Sequence, residues 1–125
     1  MPLIPSDLIE VRRVRGKGRG VFARQLIVEG AEIERAPVLL VPGDSLLGTP
    51  LADYAFEWSR DKVALALGYG SLYNHSYQPN AQYFYGGPQV KVFYAIRDIR
   101  AGEEITINYN SEPTDQTPVW FDVVE

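Results

Sequence analysis

The sequence contains no cysteine. Disulfides and every thiolate metal site are therefore excluded. Histidine occurs once, at His75, so an imidazole zinc site within one chain is out of reach as well. No metal centre is expected. No run of about 18 apolar residues occurs, so no membrane span is expected. The opening stretch Met1-Pro2-Leu3-Ile4-Pro5-Ser6-Asp7 lacks a basic segment followed by an apolar core. No secretory leader is expected from it. Basic side chains are scarcer than acidic ones, 12 Lys and Arg against 16 Asp and Glu, for a net charge of −4. That balance argues against direct nucleic-acid binding, which depends on neutralising phosphates. Its field would attract a basic protein or Lys/Arg-rich peptide instead, although mild acidity also simply aids solubility. A soluble intracellular protein is the expectation.

What remains is a chain of short strand signals and tight turns. At 125 residues it reads as a single domain, 1–125, with a core of about 8–110 and a tail, 111–125. Residues 8–14 alternate well enough for a strand, and residues 15–20 form a glycine-rich loop before a short strand at 21–23. Glu29-Gly30 is a turn. Residues 32–41 read as a long strand, with Pro37 pointing to an edge or a bulge. Residues 42–50, rich in Pro, Gly and Ser, read as a flexible loop. Tyr54, Phe56 and Trp58 recur at period two and lead into a turn and an alternating run at 63–67. A hairpin is read there, with a helix over 51–58 as the competitor. Residues 70–73 suggest a helical turn. A second hairpin joins 81–85 to 90–96 through Gly86-Gly87-Pro88, and 105–109 is a last strand. One internal echo appears: Ala23-x-x-x-Ile27-x-x-Gly30-x-Glu32-Ile33 matches Ala95-x-x-x-Ile99-x-x-Gly102-x-Glu104-Ile105. Two copies make no solenoid. The fold class is mainly β.

Three stretches carry chemistry. Tyr73-Asn74-His75-Ser76-Tyr77-Gln78-Pro79-Asn80 packs the only histidine, two asparagines and a proline into eight residues. Buried Asn and His are costly unless every donor and acceptor is paired. Such a cluster either holds a ligand or knots its own backbone. Upstream, Gly16-Lys17-Gly18-Arg19-Gly20 lacks the strand-loop-helix setting and the Lys-Ser/Thr pair of a phosphate loop. It reads as a turn, or as a place where backbone approaches a ligand closely. His75 and Ser76 are neighbours on opposite faces of an extended chain, so no Ser-His nucleophile is expected. Downstream, Glu103-Glu104 could be called a carboxylate pair, but in a glycine turn it reads as a solvated turn. The eight tyrosines favour site edges, since each hydroxyl needs a partner.

Together these residues resemble the SET-domain protein lysine methyltransferases. The family pattern is Gly-x-Gly, then Asn-His-Ser-x-x-Pro-Asn, then Gly-Glu-Glu-[Ile/Leu]-Thr-x-x-Tyr. Here these are Gly18-Arg19-Gly20, Asn74 to Asn80, and Gly102 to Tyr109, in order, with the resemblance running from about Val11 to Tyr109. The length and the Glu57-Trp58, Gly68-Tyr69-Gly70 and Pro118-Val119-Trp120-Phe121 segments look most like minimal stand-alone members of bacterial or viral type. The resemblance implies a β-clip fold of small curved sheets with a C-terminal pseudoknot. It implies S-adenosyl-L-methionine as cofactor, held by Lys17, Gly18, Arg19, Gly20, Tyr73, Asn74, His75 and Trp120. It implies Tyr109 as the catalytic tyrosine, and a lysine channel lined by Tyr54, Tyr83, Ile107, Tyr109 and Phe121. The substrate would be a basic protein such as a histone or histone-like protein.

The chemistry suits these residue types. Methyl transfer from a sulfonium to an amine needs alignment and a dry channel more than strong acid-base groups. An apolar aromatic channel lowers the pKa of the lysine that enters it. Many larger members close that channel with a cysteine-rich zinc-binding tail, which this chain lacks. Trp120-Phe121 is the candidate replacement, with Trp120 stacking on adenine or walling the site; packing elsewhere or in a subunit contact is the other reading of the tail. Asn110 stands where many members have glycine. A homodimer could supply the wall that absent flanking domains leave open. The resemblance further implies mono- or dimethylation, and a cytoplasmic protein if bacterial, or a chromatin-associated one, or one of the host nucleus, if eukaryotic or viral. A non-catalytic SET-fold binding module is the alternative.

Overall fold

The computed structural model describes residues 3–125. Met1 and Pro2, at the start of the stretch read as lacking a leader, lie outside the described residues. Alternating Ile9, Val11 and Arg13 give strand β1, Ile9–Val14, which pairs antiparallel with β2, Gly18–Ala23. The turn between them is tighter than the sequence reading allowed. Gly18 to Gly20 are strand residues, paired with Val14, Arg13 and Arg12, and only residues 15–17 turn. Gly16 supplies a φ of 83° there, and the Lys17 N–H donates to the Val14 carbonyl at 3.0 Å.

The longest strand, β3 (Glu32–Pro42), is central. Its first half pairs with β8 (Val90–Ala95) and its second half with β5 (Lys62–Ala66). Pro37 sits at the handover. It is the last residue registered with β8, opposite Val90, and its carbonyl accepts from the Leu67 N–H at 2.8 Å. The missing proline N–H thus falls where one ladder stops and the other begins, so Pro37 marks neither an edge nor a bulge. The bulge lies earlier, between Glu32 and Glu34. The hairpin reading and its helical competitor each hold in part. Pro50–Tyr54 is a short 3₁₀ turn, and β4 (Ala55–Glu57) then pairs with β5. Tyr54 therefore belongs to the turn and not to the strand. With β7 (Ala81–Tyr85) the sheet order is β4-β5-β3-β8-β7.

The second sheet has the order β1-β2-β9-β6, with β6 being Asn74–His75 and β9 Glu104–Ile107. β6 runs parallel to β9, Asn74 opposite Thr106 and His75 opposite Ile107. The internal echo has a structural meaning: its two copies pair with each other. Ile27 and Ile99 exchange both backbone hydrogen bonds at 2.8 Å. Gly102 N–H donates to Ala23 on one side, and Gly30 N–H donates to Ala95 on the other, each at 2.8 Å. Similar segments meeting antiparallel satisfy each other's backbone groups with one solution used twice. Ile27, Ile99, Ile33 and Ile105 are all buried there, beside Val21 and Phe93. Beyond β9 the chain forms no strand, and its groups bond to residues of the Asn-His segment. Gln116 donates through Nε2 to the Tyr77 carbonyl at 3.2 Å, and the Val119 N–H donates to the Tyr77 hydroxyl at 3.2 Å. The architecture is mainly β, built of small sheets.

Candidate active site

The Asn-His segment is held by polar side chains acting as backbone. Asn80, 1% exposed, donates from Nδ2 to the Glu104 carbonyl at 2.8 Å and accepts the Thr106 N–H on Oδ1 at 2.9 Å. It thereby supplies β9 with a partner that no strand provides. Asn108 does the same for the tail, donating to the Asp115 carbonyl at 2.7 Å. His75 accepts the Tyr109 N–H on Nδ1 at 2.9 Å. Its ring proton therefore sits on Nε2, which is buried and has no partner among the described residues. Burial, and then the Lys17 ammonium, hold this imidazole below its ordinary pKa, against an opposing pull from Glu125. Ser76 bonds to Glu125 and not to His75, as its position on the opposite face requires.

Tyr109 is anchored twice, through its N–H on His75 and through its hydroxyl, which donates to the Tyr73 carbonyl at 2.7 Å. Burial, reinforced by Glu104, pushes the Tyr109 phenol up to about 12, so it stays protonated at neutral pH. Tyr73 is itself fixed. Its side chain is 1% exposed, stacks on Phe93 at 4.2 Å and donates its hydroxyl to Glu34 at 2.7 Å. Glu34 also accepts the Tyr69 N–H at 3.0 Å, and burial raises its pKa above the ordinary carboxyl value.

On the opposite side of Asn74 lies the glycine-rich strand. Asn74 donates through Nδ2 to the Arg19 carbonyl at 2.8 Å and to Glu104 at 2.7 Å, and Glu104 pairs with Lys17 at 3.2 Å. The reading of Glu103-Glu104 as a solvated turn is therefore corrected. Glu104 is drawn inward by an amide and an ammonium, and Glu103 caps the Arg100 N–H and pairs with Arg97. Two glycines serve different needs here. Gly18 has a φ of 80°, which side chains rarely adopt. Gly20 has ordinary dihedrals, but a Cβ on it would collide with the Glu104 carboxylate and lie 2.8 Å from Asn74 Nδ2.

Two clefts meet at Tyr109. One, of about 430 Å³, is lined by Arg13, Lys17, Gly18, Arg19 and Asn74. The other, of about 510 Å³, is lined by Phe56, Tyr83, Tyr85 and Trp120, with Asp53, Glu57 and Asp115 among its acidic members. Tyr54, Asp53, Ser71 and Tyr109 belong to both. A smaller recess of about 190 Å³ joins Lys17, Asn74 and His75 to Phe121.

The structure thus brings together Lys17, Gly18, Arg19, Asn74 and His75 on one side, and Tyr54, Tyr83 and Tyr109 on the other. Three expected placements change, and one of two readings of Trp120 is selected. Tyr73 contributes its carbonyl, because its ring is in the core. Ile107 is fully buried in β9 and lines none of these clefts. Trp120, read as stacking on adenine or walling the site, walls the larger cleft. It stacks on Tyr109 at 5.8 Å and 21°, with the indole 63% exposed. Phe121, read as a channel residue, faces the recess beside His75, 6.2 Å from its ring. An irregular tail has no period from which the side of each ring could be read. Sequence reasoning missed Glu104, Phe56 and Tyr85 as site residues. Phe56 carried a signal, its period-two spacing with Trp58.

The SET domain family model matches residues 18–110. A Schizosaccharomyces pombe protein named histone-lysine N-methyltransferase, H3 lysine-37 specific, is 35% identical over 127 aligned positions, covering 98% of this chain and 82% of that protein. Among solved structures, a Plasmodium falciparum protein described as a candidate histone methyltransferase superposes with a TM-score of 0.72 at 30% identity, over 86% of this chain and 95% of that one.

Proposed function

From the premise that this chain belongs to the SET-domain family, we propose that it is an S-adenosyl-L-methionine-dependent protein-lysine N-methyltransferase acting on a histone or histone-like protein. The observation that carries the reading is the meeting of two clefts of opposite character at Tyr54 and Tyr109. The smaller cleft offers Arg13, Lys17 and Arg19 beside the Gly18 backbone, which suits the carboxylate of an amino-acid ligand. Its continuation past Asn74 into the recess offers an unpaired His75 Nε2 and the Phe121 ring, which suits a polar heteroaromatic base. The residues present therefore fit the methyl donor. When bound, that cofactor supplies an electrophilic methyl group.

The chain's own residues do the rest. The Tyr109 hydroxyl is committed to the Tyr73 carbonyl, so it is a fixed dipole and not a base. Its lone pairs and the Tyr73 carbonyl are acceptors that orient a neutral amine. The aromatic walls exclude water, which lowers the pKa of an entering lysine, so the amine enters neutral with its proton left to bulk solvent. Lys91 illustrates the effect next door: among the rings of Phe56, Tyr83, Tyr85 and Phe93, burial drives its amine down to about 5. Asp53, Glu57 and Asp115 around the larger cleft suit a basic substrate segment. The named activity of the fission-yeast relative supports a histone target.

Calorimetric titration of S-adenosyl-L-methionine, followed by transfer of labelled methyl to recombinant histones, tests this function. Binding with transfer supports the enzyme. Binding without transfer to any basic protein supports the non-catalytic module, and no binding removes the enzyme and leaves only a module that binds a protein partner.

A further inference from the structure

Lys91 takes no part in the site as described so far. It lies in β8, is fully buried, and pairs with Tyr85 of β7 and Ala36 of β3. Its Nζ has no hydrogen-bond partner among the described residues. Instead it faces rings: it lies over Phe56, 3.7 Å from the Tyr83 centroid, 5.4 Å from Phe93 and 5.8 Å from Tyr85. A ring of aromatic faces is how proteins recognise an ammonium. Here the protein's own lysine occupies the cage, and burial leaves it uncharged at neutral pH. Glu57, next to Phe56 in β4, raises the Tyr83 and Tyr85 phenols, whereas burial alone acts on the amine.

The cage has two sides. Phe56, Tyr83 and Tyr85 also line the larger cleft, and Lys91 does not. These rings therefore stand between an interior amine and the cleft. With no oxygen acceptor in reach, the amine's N–H bonds have only ring faces to point at. A donor against one face of a ring reduces the negative potential that the ring offers a cation at its other face.

We propose that Lys91 is a specificity-determining residue: by filling the ring cage from the interior with an amine, it makes the cleft favour an uncharged amine over a cationic one. This rests on reading the larger cleft as the lysine channel. The neutral lysine is the nucleophile, so the preference retains the reactive form. Trimethyl-lysine is quaternary and cannot lose its charge, so Lys91 disfavours that product over the lower methylation states, which can be neutral.

The test needs no substrate. Choline chloride is titrated into the wild-type protein and into Lys91→Met and Lys91→Leu, with the Tyr83 and Tyr85 ring resonances followed by NMR. The uncharged carbon isostere of choline serves as control. Met conserves length and keeps a soft contact with the rings, so the cage stays filled. The expected result is choline binding at least about threefold tighter in both variants, with the isostere unchanged. Equal choline affinity, an equal gain for the isostere, or no choline binding in any of the proteins would overturn the proposal. Methyl transfer by the wild type is measured separately, so this inference and the enzymatic reading fail independently.

Discussion

Lys91→Met should stabilise the protein, and by an amount that depends on pH in a set way. An unfolded lysine takes its proton near 10.5, whereas burial holds the folded amine at about 5. Between those values the unfolded chain binds one more proton than the folded one. Stability must therefore rise with pH across this window, by about 1.4 kcal/mol per unit. At pH 7 the folded state has given up a proton three and a half units below the unfolded value, a penalty of about 5 kcal/mol at most. Methionine is close in volume and removes the penalty, at a repacking cost of roughly 1 kcal/mol. The net gain at pH 7 is on the order of 4 kcal/mol. Urea unfolding of both proteins at pH 6, 7, 8 and 9 measures it. The advantage of the variant should shrink by about 1.4 kcal/mol for each unit of rising pH. A pH-independent difference, or a variant less stable than the parent at pH 7, would mean that Lys91 is not buried as an uncharged amine.

Other residues make separate predictions. Glu34→Leu leaves the Tyr73 hydroxyl and the Tyr69 N–H unpaired in the core and should cost about 2–4 kcal/mol in urea unfolding, with Glu34→Gln costing less. Gly20→Ala forces Glu104 and Asn74 apart and should weaken S-adenosyl-L-methionine binding at least about tenfold by calorimetry, without unfolding the β1–β2 hairpin. The folded His75 imidazole has a lowered pKa, so the unfolded chain binds more protons as pH falls through 6.5. Stability should decline on acidification from that point. His75→Asn, which keeps an acceptor for the Tyr109 N–H, should show a flatter decline by thermal melting at pH 5 to 7.

Much of this was legible in the residue order, for identifiable reasons. Strands such as Lys62–Ala66 bury one face and so alternate. Asn80 and His75 stood out because buried amide and imidazole groups demand partners, and they found them in Glu104, Thr106 and Tyr109. The repeated Ala-x-x-x-Ile-x-x-Gly unit was visible, but that its copies would pair with each other was not, since pairing across more than sixty positions leaves no local mark. Pro37 misled because a strand can change partners halfway along, and a proline fits at that handover. Lys91 was invisible as a site: lysine by type belongs at the surface, and only the convergence of Phe56, Tyr83, Tyr85 and Phe93 from three strands shows it caged. Trp120 and Phe121 were picked out as a pair, but which cleft each would face depended on the tail's path past Tyr77.

In the proposed function Tyr109, fixed on the Tyr73 carbonyl where two clefts meet, aligns an amine for methyl transfer. The measurement that tests it most directly is methyl incorporation into a panel of histones and bacterial basic proteins, read by intact mass, for the wild type and Tyr109→Phe side by side. Methylated lysine is expected with the wild type and a rate at least about tenfold lower in the variant, equivalent to roughly 1.4 kcal/mol of lost transition-state stabilisation, with cofactor affinity retained. Equal rates in the two proteins would contradict the assignment of Tyr109.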